Sequence, residues 1–380
     1  MTHEITTIEL QQDSPGQQHF LHVHRFMGRD TSAGKVFIQA ALHADEVPAH
    51  MAAHHLLRLL IDLDQQGKIN GEIVVLPYAN PIGLGQYMDD IHLGRYHLPG
   101  GGNFNRNWPD LAELCKPRLE GKLGNNAEEN IKTIREAMRQ EIDSWQTVGG
   151  WPQMRKEIFK LACDADIVLD IHCDDESLIH LFIAPQHWPA LSDLSAWIKS
   201  RATMLAEDSG GGSFDEACSL PWAKLAEMFP ESDIPAVCQA STVELRGRPD
   251  VYDELGEEDA NNLIGFLSGR GFVSGDTLTQ PDALCEATDL RACDILRSPG
   301  AGVLAYKVKP GDQVKKGQVI ADLIDIAAKD PRNARTEIKS SIDGLVLSTK
   351  QTKLVRPGHS VAKINGTEIL ESRSGYLLED

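Results

Sequence analysis

Three residues in this sequence have side chains that commonly bind zinc in enzymes: His43, Glu46 and His172. His43 and Glu46 lie where an apolar segment, 36–41, leads into a predicted helix, and their spacing lets both side chains reach one cavity. His172 lies at the end of another apolar segment, 165–171. Two imidazoles and one carboxylate leave a fourth zinc position open for water. The pattern predicts one catalytic zinc ion per chain.

Each part of this pattern also has a simpler interpretation. The His-x-x-Glu spacing is common by chance, and a histidine at a strand end is often a core residue with satisfied hydrogen bonds. Asp170 adds weight to His172, because side chains alternate along a strand and these two share a face. A carboxylate in that position holds a ligating imidazole in one tautomer. We therefore predict that Asp170 supports His172.

Two neighbouring residues, Asn105 and Arg106, follow a run of three glycines at 100–102. The planar fork of an arginine binds a carboxylate through two hydrogen bonds, which lysine cannot reproduce. The alternative is an ordinary surface arginine in a flexible loop. The pair predicts a small anionic substrate whose carboxylate is bound by Asn105 and Arg106.

Glu244 lies in an otherwise apolar segment, where an unpaired carboxylate is costly to bury. Either Arg246, two residues further on, neutralises it, or Glu244 lines an active site as the general base. Cys173, beside His172, is an alternative nucleophile, although a buried cysteine at a strand end is usually a small apolar residue.

Together these segments resemble the succinylglutamate desuccinylase/aspartoacylase family of the zinc carboxypeptidase (M14-like) superfamily. HADE at 43–46, FNRNW at 104–108, DIHC at 170–173 and VELR at 243–246 occur in the order of that family, within residues 30–270. The resemblance implies a zinc carboxypeptidase-like α/β/α fold with a mixed sheet, and a hydrolase that removes an N-acyl group or cleaves a terminal amide. By position, Arg95 resembles the oxyanion-stabilising arginine of the family.

The tyrosine that carboxypeptidases place over their substrate has no match in this sequence. This favours a zinc-dependent deacylase acting on a linear amide of a carboxylate-bearing small molecule. A metallocarboxypeptidase or an esterase using the same site remains an alternative.

The apolar segments alternate with helical patterns at about 127–146, 152–164 and 189–207, which predicts an α/β sheet covered on both faces. Ligands bind such sheets at the carboxyl ends of strands, where His43 and His172 fall. Residues 1 to about 30 predict a β-hairpin. We expect one hydrolase domain over 1–285.

From about residue 290, short β-type segments alternate with turns, and two similar units begin at Gly302 and Gly344. This region resembles the biotinyl/lipoyl-type barrel-sandwich fold, and we predict a small all-β domain over 290–370. Carrier domains display a lysine in a recognisable frame, whereas Lys329 lies in an Asp- and Pro-rich connection. We therefore expect an unmodified packing module. A carrier or binding protein that acts through this domain is the alternative from another functional class.

The formal net charge of −19 disfavours nucleic acid and anionic membranes as partners. No apolar run approaches the roughly 20 residues of a membrane helix, and the N-terminus lacks a signal-peptide core. Seven cysteines without a Cys-x-x-Cys pair fit a reducing compartment. These features predict a cytoplasmic enzyme with a small-molecule substrate, for which the β-domain offers a surface for homo-oligomer formation.

Overall fold

The computed structural model describes residues 2–275 and 278–378. Within these ranges the α-helices are α1 (Val47–Gln65), α2 (Pro81–Leu84), α3 (Leu111–Leu119), α4 (Ala127–Ser144), α5 (Gly150–Ala162), α6 (Ser192–Trp197), α7 (Phe214–Met228) and α8 (Asp253–Gly269). None of these helices combines the length and the apolar character needed to cross a bilayer.

The structure describes fourteen strands before residue 290. They are β1 (His3–Glu9), β2 (Phe20–Met27), β3 (Lys35–Ala40), β4 (Glu72–Leu76), β5 (Tyr87–Met88), β6 (Ile91–His92), β7 (Tyr96–His97), β8 (Gly102–Asn103), β9 (Ile167–Asp174), β10 (Glu176–Ser177), β11 (His180–Ile183), β12 (Ala202–Leu205), β13 (Gln239–Gly247) and β14 (Ala287–Asp289). Nine of them make one sheet in the order β1-β2-β4-β3-β9-β13-β11-β12-β14. The predicted N-terminal hairpin is confirmed, since β1 pairs with β2 in antiparallel register.

The large sheet is mixed, and it is covered by helices on both faces. Strands β4, β3, β9 and β13 run parallel to one another, whereas β2 pairs with β4, and β11 with β13, in antiparallel register. In β3, Phe37 packs into a core with α3, α4, α5 and α7, while Val36 and Ile38 pack into a core with α1, α6 and α8. Burial on both faces explains the continuous apolar runs of the sequence. The predicted α/β architecture is therefore confirmed.

The helix predicted over 189–207 is wrong. The structure has the short helix α6 followed by strand β12, which pairs in parallel with both β11 and β14. Lys199, between the two elements, has a φ of 59°, a left-handed conformation that ends a right-handed helix. Ala202 and Met204, on alternate positions of β12, are buried, so sheet pairing has overridden the local helical pattern.

The remaining strands belong to the C-terminal part of the chain: β15 (Cys293–Arg297), β16 (Gly302–Tyr306), β17 (Gln313–Val314), β18 (Val319–Ile324), β19 (Arg335–Lys339), β20 (Gly344–Thr349), β21 (Leu354–Val355) and β22 (Ser360–Asn365). Together with β10 these eight strands form two small sheets, one of four strands and one of five, over a common apolar core. The two similar units predicted from the sequence begin at Gly302 and Gly344. These residues are the first of β16 and β20, which belong to different sheets.

The C-terminal part is joined to the segment that follows β9. Strand β10 pairs with β20 and so belongs to the five-stranded sheet. Three carboxylates in a row before and within β10 each form an ion pair with a lysine of the C-terminal part: Asp174 with Lys363 at 2.8 Å, Asp175 with Lys350 at 2.7 Å, and Glu176 with Lys353 at 2.5 Å. The strand that carries His172 is thereby connected to the small β-structure.

Candidate active site

The candidate metal ligands His43, Glu46 and His172 come together in one buried cluster. His43 follows β3, Glu46 is the residue immediately before α1, and His172 lies within β9, adjacent to β3 in the sheet. Their ligand atoms lie within 4.8 Å of one another, and the three residues are 3%, 2% and 2% exposed. The Nδ1 atom of His43 is 2.9 Å from Glu46 Oε1, and the Nδ1 atom of His172 is 2.7 Å from Glu46 Oε2. Two ring nitrogens therefore converge on one carboxylate.

The opposite ring nitrogens, the two Nε2 atoms, lie close to side-chain oxygens outside the cluster. Nε2 of His43 lies 2.7 Å from Asn103 Oδ1, an oxygen that also accepts the backbone N–H of Asn105 at 2.9 Å. Nε2 of His172 lies 2.9 Å from Asp170 Oδ2, so the predicted contact of these two residues is present. With both Nε2 atoms facing oxygens outside the cluster, both Nδ1 atoms are directed at the cluster, as metal ligation requires. These residues fit a divalent metal ion.

The charges of the cluster depend on one another. Burial tends to raise the pKa of Glu46, but His43 and His172 hold that pKa well below its usual value. Burial tends to lower the pKa of His172, whereas the carboxylates of Asp170 and Glu46 raise it well above its usual value. Burial, followed by the nearby Arg95, lowers the pKa of His43. Glu46 is thus an anion, the form in which a carboxylate binds metal.

Glu244 lies next to the cluster on β13. The parallel register of β13 and β9 pairs Glu244 with His172. Its Oε2 atom is buried and has no hydrogen-bond partner among the described residues. Burial, with a further contribution from Glu46, raises the pKa of Glu244 to about 8. Its carboxyl group is therefore available to a bound molecule.

The alternative that Arg246 neutralises Glu244 is wrong. Arg246 instead forms a two-bond ion pair with Asp259 of α8, with Nη1 at 2.8 Å from Oδ1. Arg246 has a φ of 49°, and a register shift separates Glu244 from Gly247 in the pairing with β9. A bulge of this kind re-aims side chains, so the simple alternation assumed from the sequence fails here.

Three polar residues predicted to contact the substrate line the same cavity. Arg95 Nη1 lies 3.2 Å from Glu46 Oε1 and 3.1 Å from His43 Nδ1. Asn105 Nδ2 lies 3.3 Å from His172 Nε2, and its Oδ1 accepts the backbone N–H of Phe214 at 2.8 Å. Arg106 is buried and donates from Nη1 to the Asn105 carbonyl at 2.8 Å. The segment between β4 and α3 thus brings two cations and an amide to the His43-Glu46-His172 cluster.

All the predicted site residues meet around one cavity. Seven of them line it: His43, Glu46, Arg95, Asn105, Arg106, His172 and Glu244. Asp170 lies behind His172, where Gln39 Nε2 donates to its Oδ1 at 2.9 Å.

Several further residues at the cavity were not predicted from the sequence. Asn103, which contacts His43, directly follows the three glycines at 100–102, where an asparagine has no distinctive spacing. Lys363 and Leu378 line the cavity from the C-terminal part, and the Tyr376 hydroxyl accepts a hydrogen bond from Arg106 Nε at 2.8 Å. Asp215 and Glu216 line it from the start of α7. No motif marks these residues, because only the tertiary fold brings them to the site.

Comparison with known proteins agrees with this architecture. Residues 32–144 match the family model of the succinylglutamate desuccinylase/aspartoacylase catalytic domain. A solved structure from Shewanella amazonensis SB2B, assigned to the succinylglutamate desuccinylase/aspartoacylase family, has a TM-score of 0.82 at 23% identity, covering 95% of this chain and 98% of that chain. No curated protein sequence matches this chain.

More distant solved structures share the fold over nearly the whole chain. The succinylglutamate desuccinylase/aspartoacylase from Rhodobacter sphaeroides has a TM-score of 0.62 at 15% identity, covering 95% of each chain. The product-bound ectoine utilization protein EutE from Ruegeria pomeroyi has a TM-score of 0.65 at 16% identity, covering 95% of this chain and 94% of that chain.

The fold and the site define a mixed α/β protein with a His-Glu-His cluster able to hold a metal ion. The resemblance predicted from the sequence is confirmed, since residues 32–144 of this chain are similar to the catalytic domain of the succinylglutamate desuccinylase/aspartoacylase family.

Proposed function

We propose that this chain is a zinc-dependent amidohydrolase that removes an N-acyl group from a carboxylate-bearing amino acid or a related small molecule. The observation that carries the proposal is the convergence of the His43 and His172 Nδ1 atoms on Glu46, with Glu244 in register beside His172. A single zinc ion held by His43, Glu46 and His172 would lower the pKa of water towards about 7 and polarise the amide carbonyl.

In this proposal Glu244 is the general base. It accepts a proton from the attacking water while the new C–O bond forms at the acyl carbon. It then returns that proton to the amide nitrogen as the C–N bond breaks, so that the products are a carboxylate and a free amine. Arg95 lies beside Glu46 and would stabilise the negative charge that develops on the carbonyl oxygen.

Substrate recognition is assigned to Arg106 and Asn105. The guanidinium of Arg106 is held by the Asn105 carbonyl and the Tyr376 hydroxyl, which fixes the direction of its fork. A fixed arginine fork binds a carboxylate through paired, charge-assisted hydrogen bonds. We propose that the substrate carboxylate binds there, with its acyl amide directed to the metal cluster.

We further propose that residues 1–285 act as the hydrolase domain and residues 290–370 as an unmodified β-domain that packs against it. The two regions have separate main cores, and a smaller cluster that includes Met204 and Leu347 lies between them. A reducing, cytoplasmic location is supported by the cysteines, since all seven are free thiols and six are buried.

The proposal is tested with zinc-loaded protein and a panel of N-acetyl and N-succinyl amino acids, short peptides and esters. We expect release of a free amino acid from at least one N-acyl amino acid, and loss of that activity after chelation. Cleavage confined to peptides or to esters would replace the deacylase with the corresponding alternative activity.

A further inference from the structure

Three side chains stand in one row across the large sheet, on the adjacent strands β9, β13 and β11. Glu244 of β13 is paired with His172 on one side and with His180 on the other. Paired residues on neighbouring strands extend to the same face of a sheet. Phe182, two positions after His180 on β11, lines the active-site cavity, and its ring packs edge-on against the His180 ring with the centroids 5.4 Å apart. The proposed base therefore has a histidine on each side, on the face of the cavity.

His180 is fully buried, and in the described part of the chain its Nε2 atom has no hydrogen-bond partner. Its Nδ1 atom lies 2.9 Å from the carbonyl oxygen of Leu178. Because a carbonyl oxygen only accepts hydrogen bonds, Nδ1 carries the proton. Burial lowers the pKa of His180 to about 4, so the ring is neutral. Its Nε2 atom is consequently a buried lone pair, which accepts a hydrogen bond and cannot donate one.

Glu244 has a buried acceptor of its own. The residue lines the cavity, but its Oε2 atom is buried and has no hydrogen-bond partner among the described residues. Lys363, which lines the same cavity, donates to Asp174 Oδ2 at 2.8 Å, and this ion pair acts electrostatically on both Glu244 and His180. Glu244 Oε2 and His180 Nε2 thus lie in register as two buried acceptors. Such atoms are costly to bury unless a donor is supplied.

We infer that one bound water molecule joins these two atoms and that His180 is a positioning residue for Glu244. A water molecule donates two hydrogen bonds, so it can satisfy Glu244 Oε2 and His180 Nε2 at once, as buried waters do between polar groups. The bridge fixes the rotamer of the carboxylate and leaves its other oxygen, Oε1, for the attacking water. This assignment rests on the proposed function, in which Glu244 is the general base, and it adds the group that holds the base in place.

The support of His180 comes from the junction with the C-terminal part. Leu178, whose carbonyl orients the imidazole, donates its backbone N–H to the carbonyl of Leu347 at 3.1 Å. The preceding strand β10 pairs with β20 of the five-stranded sheet. The orientation of His180, and through it that of Glu244, therefore depends on the docking of the small β-structure.

Two substitutions separate positioning from a purely structural role of His180. His180→Asn keeps a donor for the Leu178 carbonyl but removes Nε2, whereas His180→Gln keeps an acceptor near the place of Nε2 and loses that donor. With zinc-loaded protein and the best N-acetyl amino acid of the panel described above, we expect His180→Asn to lower kcat about tenfold at unchanged KM. This is the scale of one hydrogen bond to a charged group. His180→Gln should recover most of the lost kcat.

The control is His187→Asn, at another buried histidine whose Nε2 atom has no partner in the described part of the chain. It should retain the kcat of the wild type, because His187 lies outside the row that contains Glu244. A purely structural role of the Leu178 contact predicts the reverse order of the two His180 variants. Equal kcat in these variants, or a higher kcat in His180→Asn, overturns the positioning role.

Crystallography tests the water bridge without turnover. In the wild-type protein we expect a water molecule within about 3.2 Å of both Glu244 Oε2 and His180 Nε2, and a single Glu244 rotamer. In His180→Asn the water should be lost and Glu244 should occupy more than one rotamer. These results in a protein that hydrolyses no N-acyl amino acid would support the positioning and reject the deacylase. A wild-type structure without a shared water, or an unchanged Glu244 rotamer in His180→Asn, overturns the positioning even if the protein is a deacylase.

Discussion

Glu244 and His172 are direct neighbours on adjacent parallel strands, paired in register between β13 and β9. Paired residues on adjacent strands extend to the same face of a sheet, so the carboxyl group lies beside the imidazole. On its other side β13 pairs with β11, which places His180 opposite Glu244. The position of Glu244 is thus fixed by sheet hydrogen bonds on both sides, a rigid support for the residue proposed as general base.

Loss of His172 should remove the metal. His172→Ala leaves two of the three ligands, and we expect zinc to fall from about one ion per chain to a small fraction of that value. The fold should persist, because the backbone of β9 keeps its pairing with β3 and β13. Metal analysis and far-ultraviolet circular dichroism measure the two effects. His54→Ala, at an exposed position of α1, is the matched control. Full zinc occupancy in His172→Ala would contradict the ligand assignment.

Asn103 should strengthen zinc binding through its hydrogen bond with His43. Asn103→Ala removes the acceptor of the His43 Nε2–H bond, and loss of such a supporting partner typically weakens metal binding about 10- to 100-fold. Asn103→Asp keeps an acceptor oxygen and should retain most of the affinity. Competition with a chromophoric chelator gives both dissociation constants. If the alanine and aspartate variants bind zinc equally, the hydrogen bond has no role in ligation.

Replacement of Glu244 should separate catalysis from metal binding. Glu244→Gln preserves the size of the side chain but cannot accept a proton from water. We expect retained zinc and a kcat reduced by about a hundredfold or more, the usual scale of general-base catalysis. Steady-state kinetics at saturating substrate measures this, with the exposed Glu254→Gln as control. Turnover close to that of the wild type would assign the base to another residue.

Arg106 should act through the geometry of its fork as well as its charge. Arg106→Lys keeps the charge but loses the paired hydrogen bonds, so kcat/KM for a carboxylate substrate should fall, by about tenfold or more if one charged hydrogen bond is lost. Conversion of the substrate carboxylate to an amide should then lower the kcat/KM of the wild type far more than that of the variant. Equal losses in the two proteins would show that Arg106 does not contact that group.

The metal cluster could be predicted because its ligands are marked by local patterns. His43 and Glu46 closely follow the buried strand β3. Asp170 and His172 are two positions apart on β9, so their side chains share a face of that strand. The continuous apolar runs also located β3, β4 and β9, since burial on both faces leaves a clear trace in sequence. Period-two alternation failed at Arg246, where the bulge after Glu244 redirects the chain.

The residues that α7 and the C-terminal part contribute to the cavity could not be predicted from sequence. Glu216 stands in a helix whose first turn accepts acidic residues for ordinary reasons, so its burial and its unpaired oxygen emerge only from the packing of α7. Lys363 and Tyr376 are more than 180 residues from His172 in the chain, and they reach the site only because β10 joins the C-terminal sheet. Long-range pairing of this kind leaves no local pattern.

The ion pair between Lys363 and Asp174 should stabilise the junction between the two parts of the chain. Its side chains are 17% and 14% exposed, so Lys363→Met would leave a largely buried carboxylate unpaired. We expect the free energy of unfolding to fall by about 3 kcal/mol, the lower part of the range for breaking a buried pair. Lys350→Met is the control, because its pair with Asp175 is more exposed, at 30% and 23%, and should contribute about 1 kcal/mol or less. Urea denaturation of the two variants measures the difference, and addition of Asp174→Asn to Lys363→Met should restore much of the lost stability. Equal destabilisation by the two lysine variants would mean that the buried pair does not hold the junction.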